Sequence, residues 1–370
     1  MEIPLLQSEV VINLKNLRSN FCFIQNKMKQ KKIMAVVKGN AYGHGISRVA
    51  SVLEQEGVYG FCVALEKEVD ELINLKVTKP ILHLGRIHKN MLYLLDTGQV
   101  RCNLTSLDDI KLIDDYGKAK NIIVNAHLKV DTGMTRLGVQ KTDIEKCIEK
   151  LKKTNHINIE GLWSHLATAD ENDNSFLSKQ ISFFRSMCDI IKSNFDKIKF
   201  FHIEPSGSII KHNHNFFNMV RPGISLYGAT PLGTPLSELK PVMEFRAPIA
   251  LTKSISKSTY VGYNRTFKAD HDMKIGLVQG GYADGVPTSF SNKGIVSFGD
   301  EIAPIIGKVA FDITTIDISK ISCSDFDYIT FWGGSNDKVR IENIAKRSKK
   351  IPYELFTGIT NRVKRTYIDD

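Results

Sequence analysis

The stretch that decides the fold is residues 33–45, Ile-Met-Ala-Val-Val-Lys-Gly-Asn-Ala-Tyr-Gly-His-Gly. It begins with apolar residues that include β-branched types, which predicts a buried strand, and the glycines that follow cannot continue that strand. Lys38 therefore lies where a buried strand ends. If its ammonium group is desolvated there, Lys38 becomes a nucleophilic amine able to form a Schiff base with an aldehyde cofactor. The alternative is an ordinary lysine whose stem lies along apolar surface.

Strand-like apolar segments recur along the first two-thirds of the chain, and helical patterns such as residues 65–73 and 176–191 lie between most of them. Eight such strands with intervening helices predict a closed parallel (β/α)8 barrel of the TIM-like type rather than an open doubly wound sheet. The predicted strands lie near residues 33–37, 58–63, 80–84, 100–104, 121–130, 157–164, 199–204 and 217–220.

The pattern changes near residues 231–235, Pro-Leu-Gly-Thr-Pro. Beyond them, short β-like runs are separated by turn residues, and one helical pattern at residues 341–347 interrupts them. We therefore predict an α/β protein with a barrel domain at residues 10–234 and a mostly β domain at residues 235–370. The predicted strands of the second domain lie at residues 242–261, 274–279, 294–298, 302–310, 313–318 and 327–332.

Composition limits the class of protein. A chain of 370 residues with 42% hydrophobic and 24% charged residues is ordinary for a globular enzyme. The net charge of +10 comes from lysines that alternate with acids in helical patterns, so a solvated face is expected rather than a nucleic-acid surface. No apolar run approaches the roughly 20 residues that span a bilayer, and the start lacks the regions of a signal peptide. We expect a cytoplasmic protein with no membrane or nucleic-acid partner and no metal site.

Polar residues follow several predicted strands, at the end where barrel enzymes build their sites. Loops after the last two strands are the usual phosphate site of such barrels, because backbone N–H groups and a hydroxyl can hold an anion there. The residues at these strand ends are Lys38, the stretch 127–138 (HLKVDTGMTRLG), His165, Ser206, Gly207, and Gly223 and Ile224 within the stretch 219–228 (MVRPGISLYG).

These stretches, together with residues 35–45 (AVVKGNAYGHG) and 280–285 (GGYADG), resemble the motifs of alanine racemases in order and spacing. The resemblance covers roughly residues 10–367. It implies an enzyme that uses pyridoxal 5′-phosphate (PLP), with a barrel and a C-terminal β domain, active as a homodimer. Such an enzyme would interconvert L- and D-alanine and supply D-alanine for peptidoglycan.

The resemblance also implies roles for single residues. Lys38 would carry PLP and act as one of two catalytic bases, and Tyr263 from the other subunit would be the second base on the opposite face of the substrate. Arg221 would face the pyridine nitrogen, which should stay unprotonated because a guanidinium has no acceptor atom. Lys129 matches a lysine that is carbamylated in many family members. The cofactor would be bound by Tyr42, His165, Ser206, Arg221, Gly223 and Ile224, and the substrate by Arg136, Tyr282, Phe311, Asp312 and Asn361.

The sequence departs from the family's pattern at three places. Glu204 and Pro205 precede Ser206 where an asparagine is frequent, Phe311 replaces a usual methionine, and Asn361 replaces a common active-site tyrosine. Serine-racemising relatives also have asparagine at that last position, and an amide offers donors to a substrate hydroxyl.

Three alternative functions follow. The nearest is a racemase of the same fold that prefers serine or has broad specificity. A barrel-type PLP decarboxylase would pair the pyridine nitrogen with an acid, so Arg221 counts against it. A non-catalytic PLP-binding homeostasis protein would need only the barrel, so residues 235–370 count against that function.

Overall fold

The computed structural model describes residues 6–212 and 216–369. Its residues divide into two compact units. The barrel unit comprises residues 21–41 and 46–226, and the strand unit comprises the chain up to residue 20, residues 42–45 and the chain from residue 227 onward. Among the described residues, no helix has the length and apolarity to cross a membrane.

The strands are β1 (Glu9–Asn13), β2 (Lys32–Val36), β3 (Gly60–Val63), β4 (Ile81–His83), β5 (Val100–Leu104), β6 (Val124–Lys129), β7 (Ile157–Trp163), β8 (Phe200–His202), β9 (Glu204–Pro205), β10 (Met219–Arg221), β11 (Met243–Ile255), β12 (Tyr260–Val261), β13 (Phe267–Lys268), β14 (Met273–Val278), β15 (Ile295–Phe298), β16 (Glu301–Pro304), β17 (Thr314–Asp317), β18 (Tyr328–Trp332) and β19 (Lys364–Ile368). The α-helices are α1 (Leu14–Lys27), α2 (Ile46–Gln55), α3 (Glu66–Asn74), α4 (Leu107–Lys120), α5 (Ile144–Lys152), α6 (Ser175–Asn194), α7 (Ser206–Lys211), α8 (Ile341–Ser348) and α9 (Pro352–Thr357).

The barrel unit is built on one parallel sheet with the order β8-β7-β6-β5-β4-β3-β2-β10-β9. The two ends of this sheet belong to one stretch of chain that is interrupted at Ile203: β8 pairs with β7, and β9 pairs with β10. That stretch therefore closes the sheet on itself, and the predicted (β/α)8 barrel is confirmed. Its strands are apolar and largely buried, as expected for parallel strands covered by helices.

The helices around the sheet follow the expected periodicity. α6 buries residues spaced three or four apart, among them Ile181, Phe184 and Cys188, so one stripe of the helix faces the core. The predicted helices at 65–73 and 176–191 are observed as α3 and α6. Between β4 and β5 the chain forms a 3-10 stretch, Lys89–Thr97, instead of an α-helix.

The C-terminal ends of the barrel strands carry the polar residues that the sequence singled out. Lys129 and Arg221 are the last residues of β6 and β10, Lys38 and His165 lie two residues beyond β2 and β7, and Ser206 follows β9 directly. Because parallel strands end at one edge of the sheet, these residues share the C-terminal face of the barrel, where barrel enzymes place their sites.

The strand unit contains an antiparallel-rich sheet with the order β16-β15-β18-β11-β1-β19, and β14 connects β11 to β17. β1, which periodicity had not predicted, pairs with β11 in antiparallel and with β19 in parallel orientation. The buried rings of Phe245, Phe331 and Trp332 pack together, with centroids 5.1 and 4.7 Å from Phe245. The mostly β C-terminal domain is confirmed, whereas the exact division at residue 234 stays a prediction.

Candidate active site

Lys38 lies half-buried at the entry to an unusual turn. Gly39, Asn40 and Ala41 have φ angles of 64, 53 and 53°, a left-handed conformation that is disfavoured for residues with a Cβ atom. Burial and the nearby Arg136 guanidinium lower the pKa of the Lys38 amine below its usual 10.5. A lower pKa increases the fraction of neutral amine, which is the form that acts as a nucleophile or a base.

Lys129 is the most perturbed lysine of the barrel unit. Its side chain is buried, and its Nζ lies 3.9 Å from the centroid of the Trp163 ring. Burial, followed by the charges of Arg221 and Arg136, lowers the pKa of this amine to about 7. Lys129 is therefore about half neutral at pH 7, and a neutral amine is the form that reacts with carbon dioxide.

Arg221 is held by two hydrogen-bond acceptors and one aromatic ring. One terminal nitrogen donates to His202 Nδ1 at 2.5 Å and the other donates to the Ser164 carbonyl oxygen at 2.6 Å. The guanidinium carbon lies 4.7 Å from the centroid of the Trp163 ring. Burial lowers the pKa of Arg221 to about 10, so the group keeps its charge at neutral pH and its orientation is strongly constrained.

Two buried histidines support Arg221. Burial, followed by the charge of Arg221, lowers the pKa of His202 well below 6.5, and burial lowers that of His127 to about 3, so both rings are neutral. Because a guanidinium only donates, His202 Nδ1 must accept and its proton lies on Nε2. That Nε2 is 2.8 Å from His127 Nδ1 and donates to it. The tautomers of both rings follow from the charge of Arg221.

His165 is a neutral imidazole at the same face. Burial lowers its pKa well below 6.5, and the positive charges of Arg221, Arg136, Lys129 and Lys38 act in the same direction. The predicted contact of His165 with the second base stays a prediction.

The start of α7 and the chain after β10 are joined through one hydroxyl. Ser206 Oγ accepts from the backbone N–H of Gly223 at 2.9 Å and from Ser225 N–H at 3.3 Å, and it lies 3.0 Å from Ser225 Oγ. Ser206 and Ile224 are both buried. A hydroxyl and strand-end N–H groups gathered in this way are the donors that a phosphate group requires.

The barrel residues fit PLP. The charges of Arg136, Arg221 and Lys38 all act on Lys129, so at least three cationic side chains lie near this partly neutral amine. Such a concentration of positive charge suits a ligand with several negative charges. PLP has a phosphate that Ser206 and the chain after β10 can bind, a ring nitrogen that the Arg221 guanidinium can approach, and an aldehyde that reacts with the Lys38 amine.

A second cluster lies in the strand unit. The rings of Tyr282 and Phe311 meet edge to face, with centroids 5.2 Å apart. Arg362 donates to Asp312 at 2.6 Å, and its guanidinium carbon lies 5.3 Å from the centroid of Phe311. Asn361, the neighbour of Arg362, is exposed. Three predicted substrate residues are thus brought together.

The two predicted tyrosines with other roles lie elsewhere in the strand unit. Tyr263 begins a short 3-10 turn and is 68% exposed. Tyr42 is buried, with its ring centroid 5.0 Å from that of Tyr227 and 5.8 Å from that of Tyr353. Phosphate binding by Tyr42 and base catalysis by Tyr263 stay predictions.

Sequence reasoning had assigned no role to three residues of these clusters: His127, His202 and Arg362. The two histidines occupy strand positions of the barrel, where alternate residues point inward, so the period of a strand could have identified them. Nothing in the sequence indicated that Arg362 would pair with Asp312, because the two are 50 positions apart.

Comparison with known proteins gives consistent matches over the whole chain. The family described as alanine racemase, N-terminal domain, matches residues 12–231, and that described as alanine racemase, C-terminal domain, matches residues 242–367. Alanine racemase 2 of Caldanaerobacter subterraneus subsp. tengcongensis is 34% identical over 98% of this chain and 95% of its own. The alanine racemase of Geobacter sulfurreducens is 32% identical over 97% of this chain and 96% of its own.

Solved structures are similar over the same extent. Alanine racemase from a D-cycloserine-producing Streptomyces lavendulae superimposes with a TM-score of 0.94 at 26% identity, covering 100% of this chain and 98% of that one. Alanine racemase from Bartonella henselae, solved with covalently bound pyridoxal phosphate, has a TM-score of 0.89 at 28% identity, covering 98% of this chain and 99% of that one.

Proposed function

The chain belongs to the alanine racemase family, and we propose that it interconverts L- and D-alanine with Lys38 and Tyr263 as the two bases. The predicted family, enzyme class and PLP dependence are confirmed by matches to both family domains. The supply of D-alanine for peptidoglycan and a cytoplasmic location are further parts of the proposal.

The observation that carries this proposal is the set of basic side chains at the C-terminal face of the barrel. Lys38, Lys129, Arg136 and Arg221 lie near one another, and the first two have lowered pKa values. Binding the phosphate of PLP and the carboxylate of an amino acid would offset this repulsion. The site is thus suited to a phosphorylated cofactor and a small anionic substrate.

Racemisation removes the α-proton from one face of the substrate and returns a proton to the other face. When bound, PLP supplies an electron sink that makes the α-proton acidic. The neutral amine of Lys38 would take or give the proton on one face, and the phenol of Tyr263 would do so on the other. Two bases on opposite faces are needed because a single base would return the proton to the face it left.

Arg221 would bind the ring nitrogen of PLP without giving it a proton. The guanidinium stays charged at neutral pH, and its contacts with His202 and Ser164 fix its position. A ring nitrogen that receives only a hydrogen bond is a weaker electron sink than a protonated one. That weaker sink would disfavour side reactions such as decarboxylation and transamination.

The remaining predicted residues would orient the two ligands. Ser206, Gly223, Ile224 and Tyr42 would hold the phosphate, and His165 would support the second base. Arg136, with Lys129 near it, would bind near the substrate carboxylate, and Tyr282, Phe311 and Asp312, together with Asn361, would line the substrate side.

A direct test follows L-alanine and L-serine racemisation in parallel by loss of optical activity, with the absorbance of bound cofactor recorded. We expect racemisation of alanine, and fixation of PLP to Lys38 by borohydride. Lys38→Ala should abolish both, whereas the exposed-lysine control Lys89→Ala should change neither. Full activity of Lys38→Ala, or fixation to another lysine, would exclude the proposal.

We propose in addition that Tyr263 acts on the active site of the second subunit of a homodimer. Its 68% exposure in the single chain supports this arrangement. Mixing inactive Lys38→Ala and Tyr263→Phe chains under subunit exchange should then restore activity at one of the two sites of each heterodimer. If heterodimers form without any return of activity, both bases belong to one chain.

A serine-preferring racemase is the second candidate, and Asn361 supports it. This residue is exposed and lies next to Arg362, which contacts Asp312 in the predicted substrate cluster. Its amide could pair with a serine hydroxyl, for which a tyrosine ring would leave less room. The ratio of kcat/KM for serine and alanine decides between the two candidates.

A further inference from the structure

The carboxylate of Glu68 has more partners than its place in α3 requires. Glu68 lies in the first turn of this helix and is 5% exposed. Its Oε2 accepts from the backbone N–H groups of Ala64 and Leu65 at 2.9 and 3.0 Å. Those two bonds complete the cap of the helix. Its Oε1 instead accepts from Gly39 N–H at 2.6 Å, 29 positions away in the sequence.

A second capping acid in the same protein shows that this third bond is additional. Glu354 occupies the equivalent position in α9, and its Oε2 accepts from the N–H of Ile351 at 3.2 Å. The Oε1 of Glu354 pairs with the half-buried Lys350 at 3.2 Å rather than with a distant backbone group. Capping therefore does not explain why Glu68 reaches Gly39.

Gly39 begins the left-handed turn that follows Lys38. Asn40 and Ala41 adopt φ angles of 53°, so the surrounding structure must hold them in a disfavoured conformation. Two side chains do so within the barrel unit: Glu68 binds Gly39 N–H, and Asn40 Oδ1 accepts from Ile46 N–H at 2.9 Å, at the start of α2. The backbone next to Lys38 is thus anchored through Glu68.

Resting on the proposed role of Lys38, we propose that Glu68 is a positioning residue for the cofactor lysine. Its carboxylate anchors the peptide that follows Lys38 and places a negative charge in the surroundings of the Lys38 amine. The hydrogen bond to Gly39 holds the Lys38 amine at the position where it reacts with the cofactor aldehyde. The negative charge of Glu68 favours the protonated form of that amine and so opposes the effect of the nearby arginines.

The electrostatic surroundings of Lys38 agree with this role. Burial is the largest effect on the pKa of the amine and lowers it, Arg136 lowers it further, and Glu68 acts in the opposite direction. Cys62 remains an uncharged thiol at neutral pH because burial raises its pKa to about 12. Removing the charge of Glu68 therefore lowers the pKa of Lys38 further. The other titratable groups coupled to Lys38 are Lys129 and His165.

The test measures PLP capture by the full-length protein after its cofactor has been removed with hydroxylamine. The absorbance change gives the second-order rate constant at each pH from 6 to 10, and borohydride with mass spectrometry verifies attachment at Lys38. Glu68→Gln keeps one acceptor oxygen for the helix cap, but it turns an amide donor toward Gly39 N–H and removes the charge. We expect the plateau rate constant to fall at least about fivefold and the midpoint pH to move downward.

Three further variants make the result specific. Glu66→Gln removes one negative charge from the same first turn of α3. It should leave the plateau rate constant of PLP capture and its midpoint pH unchanged. Glu354→Gln weakens the equivalent helix cap in the strand unit and should also change neither. Glu68→Asp keeps the charge on a shorter side chain, so its plateau should fall while its midpoint stays near that of the wild type. It also serves as the test if Glu68→Gln does not fold.

The inference would be overturned if Glu68→Gln captured PLP with the wild-type plateau rate constant and midpoint pH. It would also be overturned if Glu66→Gln changed these two quantities as much as Glu68→Gln does. If Glu68→Gln does not fold, an unchanged plateau in Glu68→Asp would overturn it too. These outcomes differ from failure of the proposed function, in which the wild-type protein would attach PLP to a lysine other than Lys38.

Discussion

Lys129 should be carbamylated in the working enzyme, because its surroundings keep much of its amine neutral at neutral pH. Burial and the charges of Arg221 and Arg136 bring the pKa of its amine from 10.5 to about 7. This shift corresponds to roughly 5 kcal/mol of destabilisation of the ammonium form. At pH 8 about nine-tenths of the amine is neutral, against well under a hundredth for an exposed lysine. Attack of the neutral amine on carbon dioxide releases one proton and leaves a carbamate anion, which the same arginines favour.

The assay is carbon-13 NMR of the holoenzyme at pH 8 in 13C-bicarbonate. We expect one protected carbamate signal that Lys129→Met abolishes and the exposed-lysine control Lys118→Met retains. Lowering the pH through 7 should remove the signal as the amine becomes protonated. Persistence of the signal in Lys129→Met, or its absence from the wild type at pH 8, would refute the reasoning from burial and charge.

Three further predictions concern stability and specificity. His202→Leu should destabilise the protein by about 1.5–3 kcal/mol more than His202→Asn, whose Oδ1 can still accept from Arg221; equal losses in urea unfolding would mean that this hydrogen bond contributes little. Asn361→Tyr should lower kcat/KM for serine at least about tenfold while changing alanine much less, and equal losses would remove the serine hypothesis. In bicarbonate-free buffer, stability should rise between pH 7 and 10.5 through Lys129, because the unfolded chain binds more protons in that window. Lys129→Met should flatten this slope, and an unchanged slope would contradict the lowered pKa.

Much of the fold could be predicted because its strands are short apolar runs that periodicity detects. The eight predicted barrel strands all occur, although the run at 199–204 is interrupted at Ile203. In the β domain, the predicted run at 242–261 divides into β11 and β12. β1 was not predicted, because its partners β11 and β19 lie more than 200 positions away and no local pattern marks such a pairing.

Candidate residues were identifiable wherever a polar side chain follows a strand, since a parallel barrel brings such ends to one face. Lys38, Lys129, His165, Ser206 and Arg221 were found in this way or by family resemblance, and the structure places all five at the C-terminal ends of the barrel strands. Glu68 and His202 were not found. Each acts through a partner far away in the sequence, and neither lies in a pattern that distinguishes it from a helix cap or a core residue.

The sequence by itself determined the order of the barrel strands, the strand-end position of Lys38 and the membership of the family. Only the tertiary structure decided the chemical state of the site. The pKa of Lys129, the tautomers of His202 and His127, and the anchoring of Gly39 by Glu68 depend on burial and on groups brought together from different strands, helices and turns. Electrostatic interactions depend on distance in space and on exclusion of water, and neither quantity is a property of a local stretch of sequence.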